Sequence, residues 1–119
     1  MATHVGKGQK NFGIAPSFLF TEALFGRGEE AIQFYMSQFS GSKIQFMARD
    51  EATNTVMHCV FTLQGQRFVL MEGQGKHDAT FSEAFSLVVP CETQAEIDRY
   101  WSSLSAGGEL SQCGWLRAN

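Results

Sequence analysis

Five side chains in this sequence have the chemistry to handle a polar small molecule: His58, Thr62, Glu72, Ser86 and Trp115. His58 and Thr62 stand four apart on "TVMHCVFTL", so in an extended chain both point to one side. An imidazole titrates near neutrality, and Glu72 lies near the end of the next apolar segment, "QRFVLMEG". A His58–Glu72 pair there would bind a polar ligand or pass a proton, which makes both residues candidates for catalysis. Ser86 is the matching polar position on "AFSLVVP", and Trp115 could stack on a ligand. Each has a plainer reading. A lone histidine on a mixed strand face is more often solvated or hydrogen-bonded, and a tryptophan on a late strand covers an interface at least as readily.

The elements that must position these residues follow from pattern and punctuation. "IAPSFLF" reads as a strand with Pro16 near its start, where proline is tolerated. "GRGEEAIQFYMSQF" is helical: Ala31, Ile32, Tyr35, Met36 and Phe39 fall on one stripe, Glu29 and Glu30 suit the positive end of the helix dipole, and Gly41 ends it. "SKIQFMARD" alternates like a strand, "EATN" is a turn, and "TVMHCVFTL" and "QRFVLMEG" are strands joined by a loop of hairpin length. Alternation on "TVMHCVFTL" separates Met57, Cys59, Phe61 and Leu63, predicted to pack under the helices, from Val56, His58, Val60 and Thr62. Thus His58 and Thr62 are predicted to face a cleft.

The second half opens in the same way. "AFSLVVP" is a predicted strand. "TQAEIDRYWSSLSA" is a predicted helix, with Thr93 as N-cap, Glu96 at the capping-box position and Gly107–Gly108 as its stop. "ELSQCGWLRAN" supplies one further strand. Setting Tyr35 over Tyr100 places Ile32 over Ile97, Met36 over Trp101 and Phe39 over Leu104, so "EEAIQFYMSQFSGSKI" and "QAEIDRYWSSLSAGGEL" read as two copies of one helical pattern. Two strand-helix-three-strand units, the second incomplete by two strands, would curl their sheets around a shared concave site. The expected division is a flexible leader over 1–13 and one domain over 14–119, with modules at about 14–73 and 82–119.

Composition narrows the class. The chain has 119 residues, 44% of them hydrophobic and 18% charged, enough apolar material for one domain with a core. A net charge of −3 with no Lys/Arg cluster argues against a nucleic-acid partner. No apolar run approaches the roughly 20 residues of a membrane-spanning helix, and the N-terminal stretch lacks a signal-peptide core, so a cytoplasmic, membrane-free protein is expected. Cys59, Cys91 and Cys113 are an odd, scattered set that suits reduced thiols better than disulfides or a zinc site. "GKGQKNFG" lacks both the preceding strand and the ending of a phosphate loop.

The segments "EEAIQFYMSQFSGSKI", "FTLQGQRFVLMEG", "SEAFSLVVPCETQAEIDRYW" and "LSAGGELSQCGW" resemble the PhnB-like branch of the glyoxalase/bleomycin-resistance/dioxygenase (vicinal oxygen chelate) superfamily. Members of this branch often carry the label 3-demethylubiquinone-9 3-methyltransferase. The resemblance spans Ile14 to Trp115 and implies an α+β fold of paired βαβββ modules, usually in a homodimer, with a cavity on the concave sheet. It implies no methyl transfer, since a strand-GxG-helix turn followed by an acidic residue is absent from the sequence. Metal enzymes of the superfamily hold a divalent ion with His, Glu or Gln from the first and last strands of each module. Here the corresponding first-strand positions offer Ala15, Ser17 and Leu19 in one half and Phe85 and Ser86 in the other. No cofactor is therefore predicted, and a divalent metal is disfavoured. Relatives continue beyond the CGW motif, so the chain reads as C-terminally shortened, and a homodimer completing its sheets, with or without strand exchange, is expected.

Three functional readings compete: a binding protein for an unidentified, partly apolar small molecule; a metal-dependent or His58/Glu72-assisted enzyme of lyase, isomerase or dioxygenase type acting on a vicinal-oxygen substrate; and a truncated product without activity of its own. The missing donor residues favour the first.

Overall fold

A computed structural model describes residues 13–74 and 87–105, together with the backbone of 109–110 and 116–117. The elements run β1 (Ser17–Thr21), α1 (Gly28–Gln38), β2 (Lys43–Asp50), β3 (Thr55–Leu63), β4 (Gln66–Gly73), α2 (Gln94–Ser105), β5 (Glu109–Leu110) and β6 (Leu116–Arg117). The chain divides into two compact units, residues 1–80 and 81–119. The first unit is the βαβββ arrangement expected from the sequence. The proposed leader lies almost wholly outside the described residues. Among the described residues, no helix is long and apolar enough to cross a membrane.

The first unit holds one mixed sheet in the order β1-β4-β3-β2. β1 runs parallel to β4, while β3 is antiparallel to both its neighbours. The β3–β4 hairpin turns through Gln64 and Gly65, whose φ angles of 51° and 81° are both positive. That is the twist a two-residue hairpin needs, and glycine supplies half of it without a steric penalty. Strands β3 and β4 match the sequence expectation end for end, because this turn and the "EATN" turn fix their limits.

Helix α1 covers one face of the sheet. Ile32 and Phe39 are 1% and 8% exposed, and Ala31, Tyr35 and Met36 are half-buried. Beneath them lie Cys59, Phe61, Phe68 and Leu70, all buried. Phe68 stacks on Phe18 and on Phe61, with ring centroids 5.9 Å apart in each pair. Each such side chain contributes about 1.5–3 kcal/mol by leaving water, which makes this layer the main source of the unit's stability.

Two bulges decide which residues face the helix. Ile44 pairs with Phe61 and Phe46 with Val60, leaving Gln45 as an extra residue on β2. Ala48 pairs with His58 and Arg49 with Val56, leaving Met57 as an extra residue on β3. The second bulge corrects the simple alternation. Met57 is 56% exposed instead of packing under a helix, and Val56, assigned to the opposite side, is 1% exposed and shares the helix-facing side with Arg49. Arg49 in turn forms an ion pair with Glu29 of α1. A bulge adds one residue to one strand and so reverses the face of everything beyond it.

Glu72 ties three segments together on the helix side. Its Oε1 accepts hydrogen bonds from the backbone N–H of Gly26 at 2.5 Å and of Gly28 at 3.0 Å, and its Oε2 accepts one from Val56 N–H at 2.7 Å. The carboxylate thereby satisfies donors at the start of α1 and at the bulged start of β3, and it lies where the helix dipole favours negative charge. The approach is close: a Cβ on Gly28 would lie 2.8 Å from Glu72 Cδ and 2.9 Å from Leu70 Cδ2.

The second unit is described by α2 and a two-stranded antiparallel pair, β5 with β6. Thr93 caps the helix as expected, its Oγ1 accepting from Glu96 N–H at 3.2 Å. Glu96 Oε2 accepts from Glu92 N–H at 3.3 Å, one residue earlier than a regular capping box would have it. Tyr100 and Leu104 are buried, but Ile97 is 44% exposed where its counterpart Ile32 is buried, so the repeated pattern holds at the end of the helix and fails at its start. Two other expectations change. The described part of the predicted "AFSLVVP" strand, residues 87–90, has no strand pairing, and the single strand predicted near the C-terminus is two short ones. Gly107 and Gly108 lie outside the described residues.

Glu72→Ala should lower unfolding free energy by about 2–4 kcal/mol, since three backbone donors lose one acceptor. Gly28→Ala should also destabilise, against the roughly 1 kcal/mol gain in helix propensity, and most of that loss should vanish in the Glu72→Ala background. Denaturant titration of the four proteins in this cycle measures both effects. A second expectation concerns Cys59, fully buried, where desolvation pushes the thiol up from 9.0 to about 11, with Arg49 opposing and Glu29 adding to the rise. Between about pH 9 and 11 the unfolded thiol ionises while the folded one keeps its proton, so stability falls as pH rises through that window. Thermal melts across this range should show a shallower fall in Cys59→Ala.

Candidate functional site

The sheet face turned away from α1 is defined by register. In one row across the strands stand Phe46, Val60, Val69 and Ser17; Ala48 and His58 stand in the next row towards the bulged end of β3, on the same side as Leu19 and Met71. Towards the β3–β4 hairpin the row is Lys43, Thr62 and Arg67. Leu19 and Phe46 are each 38% exposed, Val69 and Met71 are half-buried, and Val60 is buried. Apolar side chains thus remain part-exposed on the two edge strands of this face, β1 and β2, while Val60 between them is buried, and polar groups stand towards its ends.

Of the five residues singled out from the sequence, two reach this face. His58 is half-buried and meets the edge of the Phe46 ring, with centroids 5.8 Å apart and planes at 73°. Thr62 is on the same side but only 4% exposed; its Oγ1 accepts from Lys43 N–H at 3.1 Å and donates to the Gly41 carbonyl at 3.2 Å, so its hydroxyl serves the chain itself. Glu72 points the other way. Its carboxylate is taken up by Gly26, Gly28 and Val56, so the structure does not bring it to His58 as a proton-transfer partner. Ser86 and Trp115 lie outside the described residues.

Two residues that sequence reasoning passed over belong to the face. Arg67 Nε donates to Gln45 Oε1 at 3.0 Å, and Gln45 is the extra residue of the β2 bulge. The guanidinium is thereby held by a second strand. Lys43, exposed, stands two strands away in the same row. The alternation of "QRFVLMEG" places Arg67, Val69 and Met71 together, a signal present in the sequence but overshadowed by the histidine and the carboxylate.

The divalent-metal site implied by the sequence resemblance would draw its donors from the first and last strands of the module. β1 presents Ser17 and Leu19 on this face and β4 presents Val69 and Met71, none of them an imidazole or carboxylate. Among the described residues, no three His, Cys, Asp or Glu side chains come together. The described part of this module does not fit a divalent ion.

The family model of 3-demethylubiquinone-9 3-methyltransferase matches residues 13–119. Among solved structures, a PhnB protein from Bacillus cereus that carries the same methyltransferase name is 36% identical, with a TM-score of 0.73 over 82% of this chain and 76% of its own. A protein from Staphylococcus aureus is 29% identical over 79% of this chain and 68% of its own, with a TM-score of 0.43. No curated protein matches the chain. The match over nearly the whole chain, together with the α+β architecture, means that the protein belongs to the 3-demethylubiquinone-9 3-methyltransferase domain family, with a PhnB-like fold.

Proposed function

We propose that this protein binds a small, partly apolar molecule against the sheet face opposite α1, without the help of a metal held by that face. The observation that carries the reading is the pair Leu19 and Phe46, each 38% exposed on the strand surface turned away from α1. Apolar area left in water is a standing cost of about 25 cal/mol per Å², and a bound ligand removes it. The methyltransferase name borne by the Bacillus relative is not carried over, because the sequence lacks a strand-GxG-helix turn followed by an acidic residue. Acid–base chemistry by His58 with Glu72 is not favoured either, because the carboxylate is engaged on the opposite side.

The reading extends to self-association. Ile44 and Met57 are 37% and 56% exposed, and β2 is an edge of the described sheet, so a second copy is the natural cover for them.

Native mass spectrometry of gently purified protein should show a mass excess of small-molecule size, lost in a Leu19→Lys/Phe46→Lys variant that keeps its circular dichroism. A bare mass, unchanged after incubation with apolar small molecules, would remove the binding reading. Sedimentation at micromolar concentration should give the mass of two chains; a monomer would remove the dimer.

A further inference from the structure

We infer that the chain ahead of β1 straps this face at its hairpin end, with the ring of Phe12 stacked on the Arg67 guanidinium. The described contacts bring the chain to that point. Arg67 stands on β4, beside the edge strand β1, yet its Nε–H is held at 3.0 Å by Gln45 of β2, the opposite edge. The two side chains therefore meet above β3, and Thr62, the β3 partner of Arg67, is buried there. A Cβ on Gly13 would lie 3.4 Å from Arg67 Nη1. Since Nη1 and Nε belong to one rigid planar group, Gly13 lies against a side chain that reaches inward from the sheet edge. The Pro16 carbonyl still accepts from Val69 N–H at 2.9 Å, so the chain leaves the line of β1 between residues 13 and 16.

The residue next to Gly13 is the one placed to use this contact. Gly13 has a φ of 76°, a left-handed turn that glycine makes without strain and that breaks the alternation of an extended chain. Ile14 on one side of it is fully exposed, so it does not hold the segment down. On the other side stands Phe12, whose Cα is about 3.8 Å from that of Gly13 and whose ring is long enough to cover a guanidinium. Residues 1–12 contain Lys7 and Lys10 but no acidic residue, so this segment has no carboxylate to offer Arg67. An aromatic face suits the cation instead, and arginine stacks on it while its edge hydrogen bonds stay in place.

Burial on the strands agrees with a cover at this place. Val60 and Thr62 are buried on the side that α1 does not reach, whereas Leu19 and Phe46 on the edge strands are part-exposed. A strap over the Arg67 row closes the hairpin end of the face and leaves the part over Leu19, Phe46 and Val69 as the stretch on which a small molecule would lie. The strap itself does not depend on that binding reading.

NMR of the full chain tests it. The Phe12 ring should show cross-relaxation with the Arg67 side chain. In Phe12→Ser the Arg67 Nε–H should lose its ring-current shift and exchange with water about threefold faster or more, as expected for loss of a cation–aromatic contact. Phe12→Trp, which keeps an aromatic face, should retain slow exchange, and a general loss of stability would not separate these two variants. Gly13→Val, which cannot hold the left-handed turn without strain, should act in the same direction as Phe12→Ser. A Phe12 ring in contact only with its sequence neighbours or with other parts of the chain, or Arg67 Nε–H exchange that is the same in Phe12→Ser as in the unaltered chain, would overturn the strap.

Discussion

The Glu72 carboxylate accepts hydrogen bonds from Gly26, Gly28 and Val56, and those three donors can share it only while the helix start, the bulged start of β3 and the end of β4 keep their relative positions. The contact is dense because Gly28 has no Cβ; any larger residue would meet Glu72 and Leu70 at less than 3 Å. Through it, α1 is committed to one side of the sheet. The buried layer of Ile32, Phe39, Cys59, Phe61, Phe68 and Leu70 then forms beneath the helix, and the other face is turned away from it.

What that other face offers follows from the two bulges. The bulge at Gln45 brings an amide oxygen within reach of Arg67, and the bulge at Met57 sends Val56 to the helix side while leaving His58 beside Phe46. Without the second, Val56 N–H would not be where the Glu72 carboxylate can take it. The same local irregularity thus serves the core on one side and shapes the candidate site on the other, a common use of bulges next to functional surfaces.

Much of this fold was legible in the chain. The Gln64–Gly65 and "EATN" turns set the limits of β3 and β4, and the stripe of Ile32 and Phe39 identified α1 and its buried face. Thr93 announced the start of α2 by its side-chain chemistry. The site was less legible for two physical reasons. A bulge leaves no mark on composition, so Met57 and Val56 exchange roles without any change in pattern. The partners of Glu72 are backbone amides, which carry no side-chain signature, so a carboxylate near a histidine in sequence suggested chemistry where the structure has a clamp. In the second unit, the equivalence of Ile97 with Ile32 failed because similar residue spacing does not ensure similar packing.

The family assignment fixes the architecture and leaves the function to be read from this chain's own residues. The two faces of the sheet are distinct, and α1 is tied to one of them at Glu72. Amide and methyl NMR with an added neutral aromatic probe, 1-naphthamide, tests that division most directly. The largest shifts should fall at Leu19, Phe46 and Val69, with Ile32, Phe39 and Leu70 little changed. Shifts concentrated on α1 and the residues beneath it would contradict the separation.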